Sequence, residues 1–253
     1  MASAPYTIPE PRILIFDLET FPMLYYAWRP WKGRALEVLE YSKIISFSAK
    51  WLGGPQITKA LPDYPRDADH RLTKDLWMLI DEADIIVAHN GRAFDFGRMN
   101  SQFLRHGLTP PAPAMKIDTK QVAKQVFGFD SNSLDNLAQF LGLGNKMPTG
   151  GWELWKECRE GDPKAWAKMK KYNAHDVLLL EKIYLAMRPW MPRHPNVNLF
   201  VGQCPYCGSE NVVKRGVRRT NTRVYPRYSC KDCGGWSRGT TSIRRSVITT
   251  TDV

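Results

Sequence analysis

Arg12-Ile-Leu-Ile-Phe-Asp-Leu-Glu-Thr20 begins with four apolar side chains, Ile13 to Phe16, and then presents two carboxylates, Asp17 and Glu19, with one residue between them. A near-continuous apolar run suits a strand buried on both faces of a sheet. Positions two apart on a strand point the same way, so both carboxylates are expected to face one pocket. Two anions side by side at the edge of a core repel each other unless a cation lies between them, and a divalent metal is the common solution. A strand that merely ends in charged residues would look the same over this segment alone, so the rest of the chain decides.

The chain has 253 residues, 43% of them hydrophobic and 24% charged, enough for one sizeable core and a small appendage. A net charge of +11 and a pI near 9.5 favour a polyanionic partner, nucleic acid first and a membrane surface second. No apolar run reaches the ~18 residues that a membrane span needs, and no secretory signal is expected at the start. The five cysteines are Cys158, Cys204, Cys207, Cys230 and Cys233. Four of them stand in two close pairs, which is not the pattern of a disulfide scaffold, so a reducing, cytoplasmic setting is expected.

After the first strand, Met23–Trp28 and Lys43–Leu52 carry the aromatic and β-branched residues that strands favour, which predicts a three-stranded antiparallel start with strand one in its centre. Helical spacing predicts a helix over Asp67–Ala83, and Asp84–Asn90 reads as a second buried strand. A helix follows over Phe94–His106, stopped by Gly107, then a brief strand over Ala114–Asp118. Further helices are expected at Thr119–Phe127, at Ser133–Leu141 with Ser133 as its cap, and from about Asp162 to Met187. Strands joined by crossover helices imply an α/β class, with a mixed sheet flanked by helices. The expected organisation is a flexible lead-in (1–10), a main α/β domain (11–190), a proline-rich linker (191–199), a cysteine module (200–239) and a flexible Thr/Ser-rich tail (240–253).

Two further acids stand out. In His89-Asn-Gly-Arg-Ala-Phe-Asp95, Gly91 allows a sharp turn, Asn90 can brace the loop, and Asp95 lands at a helix start, where an acid is ordinarily only a dipole partner. In Tyr172-Asn-Ala-His-Asp176, Tyr172 and Asp176 are four apart and share a helix face close to an apolar side, which places Asp176 near the core.

Asp-x-Glu on a strand, then Asn-x3-Phe-Asp, then Tyr-x3-Asp on a helix resembles the DEDD nucleases with the tyrosine variant of the third motif. These include proofreading 3′–5′ exonucleases and a related bacterial and phage group with a ribonuclease-H-like fold. Ser133-Leu-Asp-Asn-Leu-Ala-Gln-Phe-Leu-Gly142 also resembles the helix those proteins carry between their second and third motifs. The resemblance covers about Arg12 to Trp190. It implies a ribonuclease-H-like mixed sheet and a 3′–5′ exonuclease that uses two Mg²⁺ or Mn²⁺ ions and releases nucleoside 5′-monophosphates, with single-stranded DNA as the expected substrate. Asp17 is expected to bridge both ions, Glu19 and Asp176 to complete one site, and Asp95 to serve the other. Tyr172 is expected to orient the water, and Thr20 and Asn90 to hold the terminal nucleotide. The resemblance also implies a phage-encoded or bacterial cytosolic protein, with a replication or recombination protein as a possible partner. The histidine variant would need His where Lys171 stands, so His175 is expected to pack or to support the site. Phe21-Pro22 departs from the small residues that often follow the first motif, and Phe21 is expected either to wedge against a terminal base or to narrow the cleft. A structure-specific or RNA-directed nuclease on the same site, or a non-catalytic nucleic-acid-binding adaptor, are the alternatives.

Cys204-Pro-Tyr-Cys207-Gly and Cys230-Lys-Asp-Cys233-Gly form two knuckles that aim four thiolates at one point. This looks like a zinc ribbon with one structural Zn²⁺, although a rubredoxin-like iron centre has similar knuckles. From Cys204 onward ten Lys and Arg face only Glu210, Asp232 and Asp252. Arg215, Arg218, Arg219, Arg223 and Arg227 are expected to contact phosphates, with Tyr225, Tyr228 and Trp236 stacking on bases. A solvated, solubilising face is the plain alternative.

Overall fold

Ile13–Phe21 forms β1, and its period-two alternation sorts the core into two layers. A computed structural model describes residues 10–29, 34–65, 69–198 and 202–245. The expectations for residues 1–9, 67–68, 199–201 and 246–253 therefore lie outside the described residues. The chain forms two compact units, Arg12–Tyr184 and a second that starts at Leu185.

In the first unit, β1 pairs antiparallel with β4 (Lys43–Trp51), which pairs antiparallel with the edge strand β5 (Gln56–Ala60). On its other side β1 runs parallel to β6 (Ile85–Ala88), and β6 to β7 (Met115–Asp118), giving the order β5-β4-β1-β6-β7. Leu14, Phe16 and Leu18 point into one core layer. There they meet Leu72, Leu76 and Ile80 of α1 (Asp69–Asp81) and Phe96, Met99 and Phe103 of α2 (Asp95–Arg105). Phe21 points to the other layer, with Ile45, Leu154 and Cys158 of α5 (Trp152–Glu160), and Trp166, Met169 and Tyr172 of α6 (Pro163–Met187). The helices α3 (Thr119–Val126) and α4 (Leu134–Phe140) follow β7, and the Ser133 hydroxyl caps α4 by accepting from Asn136 N. The mixed sheet and its flanking helices agree with the expected class.

Two local expectations change, and two elements, β5 and α5, have no clear signal in the sequence. Leu24–Tyr26 (β2) does not join β1 but pairs with Glu37–Glu40 (β3) in a separate ribbon. Pro22 has no N–H to carry the ladder past Phe21, and the β2 side chains are all exposed. The edge strand β5 reads as polar because it is only half-buried, and α5 has just two buried side chains, so neither announces itself by periodicity. Phe21 is buried at 5% exposure, edge-on to Trp166 and under the Arg159 guanidinium, so it can neither reach a terminal base nor line the cleft.

The second unit contains β8 (Val212–Arg219) and β9 (Arg223–Cys230) as a hairpin, with β10 (Trp236–Arg238) and β11 (Arg244–Arg245) also on β9. Arg244 and Arg245, expected in a flexible tail, thus pair with Val224 and Arg223. Within the proline stretch, Val197 N donates to the Pro205 carbonyl at 2.9 Å, and the His194 and Tyr206 rings lie 5.8 Å apart.

The loop from β6 to α2, which delivers Asp95, is held by Asp118 at the end of β7. That carboxylate caps α3 by accepting from Lys120 N and Gln121 N, and also accepts from Asn90 N and Arg92 N at 3.0 Å each. Asn90, expected to brace the loop with its side chain, instead takes the left-handed conformation (φ 69°) and is braced through its backbone. Gly91 is required by packing: a Cβ there would meet Ala88 Cβ at 2.7 Å and the Phe96 ring at 2.8 Å. Asp118→Ala removes a helix cap and strands two loop amides, and should lower the unfolding free energy in urea by about 2–4 kcal/mol.

Candidate active site and cysteine cluster

β6 covers β1 only as far as Ile15, so Asp17 to Phe21 run on beyond the parallel side of the sheet. Asp95 takes up part of that free edge: its Oδ1 accepts from Leu18 N at 3.3 Å. On the β4 side, Glu19 opposes Ser46 but Thr20 opposes Ile44, a bulge that re-aims both residues at the end of β1. Asp17 and Glu19 share a face, as the strand period requires, and α6 brings Asp176 to it. Carboxylate oxygens of Asp17, Glu19 and Asp176 lie within 4.8 Å of one another. Asp95 stands outside that triplet, buried at 2% exposure, yet near enough for its charge to raise the pKa of Asp17.

All four acids resist ionisation. Burial, then Asp95, Glu19 and Asp176, push Asp17 well above the usual carboxylate range. Burial and Asp176 push Glu19 up to about 8, and burial pushes Asp95 up to about 7 against the hydrogen bonds from its own and the Leu18 amides. Burial also raises Asp176, which Lys146 opposes. Lys146 Nζ lies 2.6 Å from Asp176 Oδ2 and donates to the Tyr172 hydroxyl at 2.8 Å. Burial works against the Lys146 charge, but Asp176 outweighs it and keeps the ammonium above its usual range. The Tyr172 phenol is likewise raised, by burial, Asp176 and Glu19.

Two residues of this site carry no readable signal in the sequence. Lys146 lies in an irregular loop whose Lys146 N donates to Asp135 on α4 at 2.8 Å and whose Asn145 carbonyl lies 2.7 Å from His175 Nε2. His175 therefore supports the loop. Asn173 is fully buried, and its Nδ2 donates to Asp17 Oδ2 at 2.7 Å. Its Oδ1 lies 3.0 Å from the Ser46 hydroxyl, which is also 3.0 Å from the Lys59 carbonyl. Both depend on tertiary partners far away in sequence.

The donor set fits hard divalent cations. Carboxylates are the ligands such ions prefer, and Asp176 Oδ1 is buried without a hydrogen-bond partner. The Thr20 side chain lines a cleft together with Phe94, next in sequence to Asp95.

In the second unit the four sulfurs of Cys204, Cys207, Cys230 and Cys233 lie within 4.8 Å of one another, with Cys204–Cys233 at 3.6 Å and Cys207–Cys230 at 3.8 Å. A tetrahedral ion with metal–sulfur bonds of about 2.3 Å places its sulfurs about 3.8 Å apart, whereas a disulfide needs about 2.05 Å. The cluster is therefore compatible with a metal-bound ribbon. Gly208 and Gly234 follow the knuckles with φ of 79° and 75°, the left-handed turn each requires. Arg218, Arg219 and Arg223 are exposed, and Arg227 Nε donates to the Arg215 carbonyl at 3.0 Å while its guanidinium covers Trp236. Tyr228 is half-buried. Tyr225, expected to stack on bases, is buried with the Arg238 guanidinium 4.1 Å over its ring; Trp236, at 46% exposure, is the more open aromatic.

The raised carboxylates set a pH dependence. Their folded pKa values exceed the unfolded ones, so their contribution to stability is complete below about pH 4 and is lost as pH rises through about 7 and 8. Without added Mg²⁺ or Mn²⁺, the melting temperature should fall by several degrees between pH 6 and pH 9, and Mn²⁺ should restore most of that loss at pH 9.

No curated protein sequence matches the chain. Its fold is similar to that of a family B DNA polymerase from the hyperthermophilic archaeon Pyrobaculum calidifontis, with a TM-score of 0.55 and 17% identity over 72% of this chain. The match spans 25% of that polymerase. Residues 38–188 match the RNase_H superfamily, a span that holds Asp95, Tyr172 and Asp176 and begins after β1. By that match the chain belongs to the RNase_H superfamily.

Proposed function

We propose that the chain is a two-metal-dependent 3′–5′ exonuclease that hydrolyses single-stranded DNA to nucleoside 5′-monophosphates, with the cysteine module as a zinc ribbon that grips nucleic acid. The observation that carries the reading is the convergence of Asp17, Glu19 and Asp176 within 4.8 Å, with buried Asp95 alongside. Four acids that resist ionisation cost stability once they ionise unless protons or a cation neutralise them, a cost that a purely nucleic-acid-binding role does not require. Polarity and product come from the resemblance to the DEDD nucleases.

Asp17, Glu19 and Asp176 would hold one divalent ion, and Asp17 with Asp95 a second. When bound, such ions supply an activated water and charge relief on the phosphate. The remaining roles belong to protein groups. Asn173 fixes the rotamer of Asp17, so its free oxygen stays presented to the cleft. Tyr172 keeps its proton, since its phenol is raised, and acts by orienting a water through a hydrogen bond rather than as a base. Lys146, bonded to both Tyr172 and Asp176, holds the hydroxyl in place. Thr20 and Asn90 would hold the terminal nucleotide, and Arg215, Arg218, Arg219, Arg223 and Arg227 would track the phosphates.

Asp95→Ala should fold with unchanged circular dichroism and cut a 5′-labelled single strand at least about a hundredfold more slowly with Mg²⁺ or Mn²⁺. A wild-type ladder shortening from the 3′ end supports the exonuclease. Internal cuts point to a structure-specific nuclease, preference for RNA to an RNA-directed one, and binding without cleavage to an adaptor. Replacing Arg218, Arg219 and Arg223 together by Ala should reduce the slope of log affinity against log salt by about 2, roughly 0.7 for each single-strand phosphate that is no longer neutralised.

A further inference from the structure

The ribbon of β2 and β3 carries apolar surface that the first unit does not use. Eight large apolar side chains of the described residues between 23 and 41 stand 36–87% exposed, among them Tyr25, Tyr26, Trp28, Leu36, Leu39 and Tyr41. Two antiparallel strands are marginal by themselves and need a third strand or a packed face. β3 has such support, because Glu40 pairs with Lys43 at 2.8 Å and with Arg159 of α5. The irregularity of the ladder also falls on β3: Leu24 opposes Glu40 and Tyr25 opposes Val38, so Leu39 is the extra residue. β2 is regular, and its edge away from β3 is unpaired among the described residues.

Edge strands are ordinarily blunted by charge, which stops them from pairing with another chain. The other edges here follow that rule. The edge strands β5 and β7 carry Lys59 and Lys116, β8 carries four basic residues from Lys214 to Arg219, and β3 carries Glu37 and Glu40. Among the described strands only β2 and β6 lack a charged residue, and β6 is paired on both sides. Leu24-Tyr25-Tyr26 is thus a bare edge on a chain of net charge +11. Elsewhere that charge holds copies of the chain apart, and along β2 nothing does. We infer that β2 pairs antiparallel with β2 of a second copy about a two-fold axis at Tyr25, joining two ribbons into one four-stranded sheet. In that register Tyr25 faces its own counterpart and Leu24 faces the second copy's Tyr26, pairs that sheets favour. The same pairing through β3 would set Glu37 against Glu40. The area suffices as well. Four aromatic rings so exposed offer on the order of 400–600 Å², and the leucines bring the patch near the ~800 Å² that each partner gives to a stable interface. This assembly does not depend on the nuclease reading.

The test is sedimentation equilibrium of the full chain at micromolar concentrations and moderate salt, where the wild type should be a dimer. Tyr25→Lys and Tyr25→Glu each set like charges against each other across the axis, and each should weaken the dimer at least about tenfold. Because the Tyr25 side chain is exposed, both variants should keep the wild-type circular dichroism. An equimolar mixture of the two should associate again, since opposite charges then meet at the axis. Tyr25→Phe should remain a dimer. A monomeric wild type overturns the pairing. So does a dimer indifferent to both charged substitutions, or a mixture that associates no better than either variant alone.

Discussion

Repulsion among clustered carboxylates, two of them buried and two half-buried, is the constraint to which the first unit answers. Asp17, Glu19, Asp95 and Asp176 come from three separate segments, and each is harder to ionise in the fold than in water. Lys146 supplies a cation to Asp176 but cannot neutralise four acids. Protons or metal ions must make up the difference, which ties the stability of the core to the solution it sits in. The apolar layers on both sides of β1 bear that load: Leu14, Phe16 and Leu18 on one face, and Phe21 with its neighbours on the other, hold the strand that carries Asp17 and Glu19.

The sheet solves the positioning problem by ending unevenly. β1 continues past its parallel partner, which frees one edge at the level of Asp17 and Leu18, while β4 stays paired on the other edge, with a bulge at Glu19 and Thr20 that re-aims the end of the strand. Asp118 does the corresponding work for the loop that brings in Asp95. Its four backbone partners make it an anchor for that loop. The left-handed Asn90 and the tightly packed Gly91 are the local cost of turning the chain sharply between β6 and α2.

How far these features could be read in the sequence depends on the range of the interactions that create them. Asp17 and Glu19 follow from strand period two, and Tyr172 and Asp176 from helix spacing, so short-range geometry sufficed. The cysteine knuckles are likewise local. Lys146 and Asn173 gain their roles only from partners in other elements, and a lone lysine in a loop or an amide inside a helix has no pattern to reveal it. The failed join of β2 to β1 has a different source, since aromatic residues at Tyr25 and Tyr26 suit any strand and do not say which neighbour it takes. Tyr225 differs again, because the alternation along β9 fixes its face only once the pairing with β10 and β11 is known.

Asn173 occupies a position where its chemical type matters more than its size. An aspartate there would add a fifth negative charge to the cluster, and a lysine would saturate Asp17 permanently. The carboxamide offers direction without charge: one end is fixed by Ser46 and the other orients Asp17. It acts as a neutral clamp, so Asp17 is held in place while its negative charge is left unpaired.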